Sequence, residues 1–306
     1  MHVADRLHDA MERSGSLACV GLDPRPELLP PTLVADALAR HGDTDRAVAH
    51  AFVAFNAGLL EVIAQRCAAV KPQLACYEAY GAAGWEALAE TIRRARELGL
   101  EVIADGKRND IGSTATHYAQ ALFGGAPGLG GSRSGGLGAD WGTTNAYLGS
   151  DGIQPLLAED HRHGIFVLVR TSNPSAGEVQ DQHAGAVTVA GAVAVLVGQW
   201  GDGRLGPRSG LSDVGAVVGA TWPEEARRLR QLMPDTLFLV PGYGAQGGGA
   251  SDALAGARPC DGGGILVNSS RAIIGAWQAA DAAATWAEAA RAALDAMNAD
   301  LAAARP

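Results

Sequence analysis

LEVIADGKRND (Leu100–Asp110) begins as an apolar run and ends in a cluster of charged and amide side chains. Its first half, Leu100–Ala104, has the near-continuous hydrophobicity of a strand buried on both faces of a parallel sheet. A helical pattern precedes it, Trp85–Leu98, closed by Gly99 as a natural C-cap. Another, Ser113–Phe123, follows. Outward from this unit the same alternation repeats. Predicted strands are Leu17–Leu22, Ala68–Pro72, Ala139–Thr144, Ile165–Arg170, Ala216–Ala220, Thr236–Val240 and Gly264–Val267. Predicted helices between and after them are Ala47–Cys67, Ala184–Trp200, Pro223–Met233 and a long Ala-rich Ile273–Ala304. The first of these puts Val48, Phe52, Phe55, Leu59 and Ile63 on one face. Eight βα units in order predict a (β/α)8 TIM barrel, as a single domain over residues 1–306. The competing architecture, a doubly wound sheet, usually carries a glycine-rich fingerprint after its first strand. Here that turn reads Gly21-Leu22-Asp23-Pro24-Arg25-Pro26. Gly124–Gly142 and Gly201–Gly210 read as mobile loop insertions.

The chain has 306 residues and a net charge of −9, which disfavours nucleic acid and anionic membrane as partners. No uninterrupted apolar run reaches the ~18 residues of a membrane span. The charged N-terminus lacks the apolar stretch of a secretory signal. Cys19, Cys67, Cys76 and Cys260 are scattered without CxxC spacing, so a reduced, cytoplasmic protein is expected, with no metal site. Of 24 Lys and Arg residues, only Lys71 and Lys107 are lysines. A lysine kept in so arginine-biased a chain points to a need for a compact ammonium.

Barrel active sites lie at the C-terminal strand ends. There the predicted strands present Asp23, then Lys71, then Asp105, Lys107 and Asp110. The fifth presents Thr171-Ser172-Asn173, the seventh the run Pro241–Gly248, and the eighth Asn268-Ser269-Ser270-Arg271. Glycines after the seventh strand, a helix N-terminus and the Arg271 guanidinium predict a phosphate site. Asp105 and Lys107, two apart in an extended chain, point the same way. Lys71 and Asp110 would alternate in sign with them. The plain alternatives are a salt-bridge network that only fixes the barrel top, and Asp110 as a helix N-cap. A lysine held by carboxylates stays protonated and is a poor Schiff-base nucleophile but a good acid. A carboxylate beside the substrate repels a substrate anion. Together these suit loss of CO2 and protonation of the carbanion left behind.

At these residues the sequence resembles the orotidine 5′-phosphate decarboxylases, in their longer bacterial subgroup. The family's Asp-x-Lys-x-x-Asp appears as Asp105–Asp110, followed by Ile111 and Thr114. Cys19–Pro26, Val70–Glu78, Thr171–Ala176, Val214–Thr221, Pro241–Gly248 and Val267–Arg271 resemble the subgroup as well. The resemblance implies decarboxylation of orotidine 5′-phosphate to UMP, the final step of pyrimidine nucleotide synthesis, without metal or organic cofactor. It implies that Lys107 protonates C6 and that Asp105 lies against the leaving carboxylate. It places Lys71 and Asp23 at the ribose hydroxyls and Ser172 at the pyrimidine edge. Gln246 would bridge base and phosphate, Arg271 would hold the phosphate, and Pro241 would line the pocket. Asp110 and Thr114 would reach the neighbouring subunit's site, which makes a homodimer obligatory.

Ala146, Gly249 and the Trp141-Gly142 pair depart from the subgroup's usual residues, away from the reacting centre. Two other readings of the same residues are a metal-dependent sugar-phosphate decarboxylase or epimerase, and a non-catalytic nucleotide-binding barrel.

Overall fold

The computed structural model describes residues 1–244, 247–280 and 285–305. Eight strands form a closed barrel: β1 (Ala18–Leu22), β2 (Ala69–Pro72), β3 (Glu101–Arg108), β4 (Trp141–Thr144), β5 (Gly164–Arg170), β6 (Val214–Val218), β7 (Phe238–Val240) and β8 (Ile265–Ser269). All neighbours run parallel, and the pairing of Ala18 with Val267 joins the last strand to the first. That closure excludes the doubly wound alternative. The principal helices are α1 (Val3–Ser14), α2 (Asp45–Ile63), α3 (Gly81–Glu97), α4 (Gly112–Phe123), α5 (Val189–Trp200), α6 (Pro223–Leu232) and α7 (Trp286–Ala303). On α2 the predicted face is the observed one, with Phe52, Phe55, Leu59 and Ile63 buried. Among the described residues α2 alone has the length and apolar composition of a membrane span, but half of that window is buried inside the protein.

Three expectations about the elements need correction. The long helix Ile273–Ala304 is broken. A short turn, Arg271–Ile274, stops at Gly275, and α7 begins afresh after Thr285. The Thr285 side chain accepts from the Glu288 N–H while Glu288 reaches back to the Thr285 N–H. This capping box was masked by the alanine run around it. The helix predicted from Ala184 starts only at Val189. Its first residues instead form a hairpin, His183–Ala184 against Val187–Thr188, and the Thr188 hydroxyl caps the helix through the Gly191 N–H. The Gly124–Gly142 insertion is folded back on itself: the Gly125 N–H donates to Ser134 O, and Leu137 and Ala139 donate to the end of α4.

At the N-terminal end of the barrel, Arg6 of α1 lies 3.0 Å from Glu101 and 2.7 Å from Asp140. Burial, and then the Asp140 charge, push the Glu101 carboxyl up from 4.5 to about 7, against the pull of Arg6. Between those values the folded chain holds more protons than the unfolded chain, so stability falls as pH rises, by up to about 1.4 kcal/mol per pH unit. Glu101→Gln should flatten that slope in urea-unfolding measurements between about pH 5 and about pH 7. An unaltered slope would place the titrating proton elsewhere.

Candidate active site

The three charges from β2 and β3 meet at the C-terminal mouth of the barrel. Asp105 is 4% exposed. Its Oδ2 accepts from Lys71 Nζ at 2.5 Å and from Gln73 Nε2 at 3.0 Å. Its Oδ1 accepts from Lys107 Nζ at 2.7 Å and from the Thr143 hydroxyl at 2.8 Å. Burial alone would raise the Asp105 pKa. The two ammonium groups outweigh it and hold the carboxyl below the usual carboxylate range. Burial would likewise lower Lys71, but Asp105 and then Asp23 hold it above the usual lysine value. The result is an ionised carboxylate held between the Nζ atoms of Lys71 and Lys107.

Lys107 reaches Asp105 by a route that alternation does not describe. Its φ is +46°, in the left-handed region, which costs an L residue roughly 1–2 kcal/mol. The register of β3 against β4 slips between Ala104 and Arg108, and the Lys107 N–H is tied to Thr143 Oγ1 at 2.9 Å. The strand therefore runs four residues past its apolar part and bulges at the lysine. The Lys107 side chain is 46% exposed while Asp105 is sealed. Of the two, only the carboxylate is desolvated.

A cavity of ≈ 350 Å³ opens beside this cluster, lined by Asp23, Lys71, Pro241, Asn268 and Arg271 together with Arg25 and Tyr243. Its floor depends on a close approach: a Cβ on Gly21 would lie 1.8 Å from Ser270 Oγ, so only glycine lets β1 meet the loop after β8. Asp23 Oδ1 and Asn268 Oδ1 are buried there without a hydrogen-bond partner among the described residues. Buried acceptors of that kind are costly unless something donates to them. The loop after β7 is necked by pairing of Tyr243 with Gly248. Gln246 lies outside the described residues.

Ser172 follows β5 at the same end of the barrel but does not line this cavity. Its neighbour Thr171 is braced from behind. Gln180 donates to the Thr171 hydroxyl and accepts from the Thr171 N–H, and Trp222 Nε1 donates to Thr171 O. Arg170, almost wholly buried, stacks 4.0 Å over Trp222 between Asp181 and Glu225. Asp110 and Thr114 do not join the charge cluster within the chain. Asp110 Oδ1 accepts from the Ile111 N–H at 2.8 Å. It does not cap α4, whose N-cap position is Ile111. Thr114 is exposed on the first turn of α4. Next to Asp110 in the chain, Ile111 is 53% exposed, and Tyr147, after β4, is 86% exposed.

The orotidine 5′-phosphate decarboxylase / HUMPS family model matches residues 17–286, which takes in all eight strands and every residue of the cluster. The chain belongs to that family. Orotidine 5′-phosphate decarboxylase from Rhodopirellula baltica is 44% identical over 98% of this chain and 99% of its own length. The protein of that name from Roseiflexus castenholzii is 37% identical over 98% of the chain and 99% of its own. Among solved structures, Leishmania donovani OMP decarboxylase superposes with a TM-score of 0.76 at 34% identity, covering 100% of this chain and 99% of its own. In this member of the decarboxylase family, sequence reasoning passed over Gln73 and Thr143, which complete the shell around Asp105. Period-two alternation from Lys71 would have found Gln73. Thr143 carried no signal, because it acts through its place across from a bulge. Asn268 and Arg25, which also line the cavity, carried no separate signal in the sequence.

Proposed function

We propose that this chain decarboxylates orotidine 5′-phosphate to UMP and CO2, the last step of pyrimidine nucleotide synthesis, in the cytoplasm and as a homodimer of single-barrel subunits. The observation that carries the reading is the buried Asp105 carboxylate clamped between Lys71 and Lys107 beside a cavity with Arg271 at its rim. Full-length similarity to decarboxylases, rather than to a fragment of them, favours this reaction over a sugar-phosphate chemistry on the same barrel. The unpaired state of all four cysteines fits a reducing compartment.

Arg271 and the backbone N–H groups around Ser270 take the phosphate, which pins the nucleotide across the mouth. Asp23 and Lys71 receive the ribose hydroxyls, one accepting and one donating. The pyrimidine edge faces Ser172, Pro241 lines the pocket, and Gln246 bridges base and phosphate. This pose sets the substrate carboxylate against Asp105, a repulsion relieved as the C6–CO2 bond breaks. The electron pair of that bond stays on C6, CO2 departs, and Lys107 Nζ delivers a proton to C6. The ammoniums already stand where the carbanion charge develops, so they stabilise it without reorganising. The half-exposed Lys107 regains its proton from water. Asp110 and Thr114 serve the neighbouring subunit, and the apolar rim of Ile111 and Tyr147 is the surface that the second copy covers.

The test is loss of orotidine 5′-phosphate absorbance with purified protein, in EDTA; no decay above background would sink the proposal. Arg271→Ala should lower kcat/KM by roughly tenfold to a hundredfold, as expected for losing a hydrogen bond to a charged group, about 1.5–3 kcal/mol. Unchanged turnover at low substrate would remove Arg271 from the phosphate site.

A further inference from the structure

The family match ends at residue 286, where α7 begins, yet α7 touches the cavity loop. Tyr243 lines the cavity and closes the neck of the loop after β7 against Gly248. Its hydroxyl donates to Asp300 Oδ2 of α7 at 2.7 Å. The helix that offers this carboxylate is itself well anchored. Arg66 pairs with Asp295 at 2.9 Å, the Ser16 hydroxyl donates to Asn298 at 2.6 Å, and Asn298 Nδ2 donates to Arg66 O at 2.7 Å. At its other end the Trp286 ring packs on Gly58 of α2. The loop is otherwise rich in glycine, which loses the most conformational freedom on ordering; among its described residues, Pro241 O accepts from the Ala220 N–H beyond β6, and the other backbone bonds of the neck run within it: Gly244 N–H to Gly248 O, Gly247 N–H to Gly244 O and Gly248 N–H to Gly242 O. Among the described residues, the Tyr243 hydroxyl is the side-chain bond that ties the neck to the long C-terminal helix.

We infer that Asp300 is a positioning residue: through Tyr243 the C-terminal helix pre-sets the phosphate-gripping loop, and so governs substrate affinity rather than the chemical step. This rests on the proposed function, because it takes the loop after β7 to be the phosphate grip. A loop held in its bound shape spends less of the binding free energy on ordering. Burial, then the bond to Asp300, push the Tyr243 hydroxyl up to about 12, so it stays a donor at any physiological pH.

Asp300→Ala removes the acceptor and Tyr243→Phe removes the donor, and alanine is a favourable residue in the helix that carries Asp300. In steady-state assays each should raise KM for orotidine 5′-phosphate about fivefold, the size of one exposed hydrogen bond, with kcat falling less than KM rises. UMP binding by calorimetry should weaken by the same factor. The double variant should be no worse than either single, since both break one bond. Melting temperatures should stay near that of the parent, which separates positioning from loss of fold. An active parent whose single variants keep its KM and UMP affinity overturns the inference, as do additive effects in the double variant. A parent that binds UMP without decarboxylating overturns the proposed function instead, and the UMP measurements then decide the inference alone. A parent that does neither overturns both.

Discussion

Lys107→Ala should lose decarboxylation by at least about 10³-fold, within the roughly 10²–10⁴ that a positioned acid supplies, while still binding UMP. The ammonium is the proposed proton source, and it is also one of the two cations that keep Asp105 ionised. Its removal strikes both the delivery of the proton and the field that favours the carbanion. The backbone is a fair control. Lys107 holds φ +46°, and alanine meets the same left-handed penalty as lysine, so the change reports the ammonium and not relief of strain. Affinity for UMP should survive, because Arg271, Asp23 and the loop after β7 are untouched. Turnover within tenfold of the parent would remove Lys107 from the chemistry. Loss of UMP binding in step with turnover would make it a structural cation.

Mixing inactive Asp110→Ala and Lys107→Ala chains should restore activity. Asp110 in its own chain is bonded to the Ile111 N–H and touches neither lysine. If it serves the partner's site, a mixed dimer has one site with Lys107 from one chain and Asp110 from the other. Random exchange of subunits then regains about a quarter of the parent activity, from half the dimers with one of two sites intact. No recovery after verified exchange would confine Asp110 to its own subunit.

The barrel was legible because it rests on repetition. Eight apolar runs separated by amphipathic segments have few other solutions, and the strand boundaries shifted by only a residue or two at most ends. The cluster was legible because lysine is scarce and both lysines fall at strand ends. What stayed hidden depends on contacts between distant segments. Thr143 is one methyl-bearing hydroxyl among many until β4 lies beside the slip in β3. The left-handed turn at Lys107 cannot be read from a residue type that ordinarily avoids it. The break before α7 was written in Thr285 and Glu288, but helix propensity summed over many alanines concealed it.

Lys71 is buried and Lys107 is half exposed, and there is no third lysine. Beyond the α-amino group, the protein has one side-chain amine open to solvent, and it stands at the proposed reacting centre. Its ion pair with Asp105 makes it a poor nucleophile, so acylating dyes, amine-coupled sensor surfaces and lysine cross-linkers, which scatter over most proteins, would here be directed at the α-amino group. A labelled or immobilised preparation of this protein therefore carries its attachment at the α-amino group, or at the exposed Cys260 thiol, away from the charge cluster.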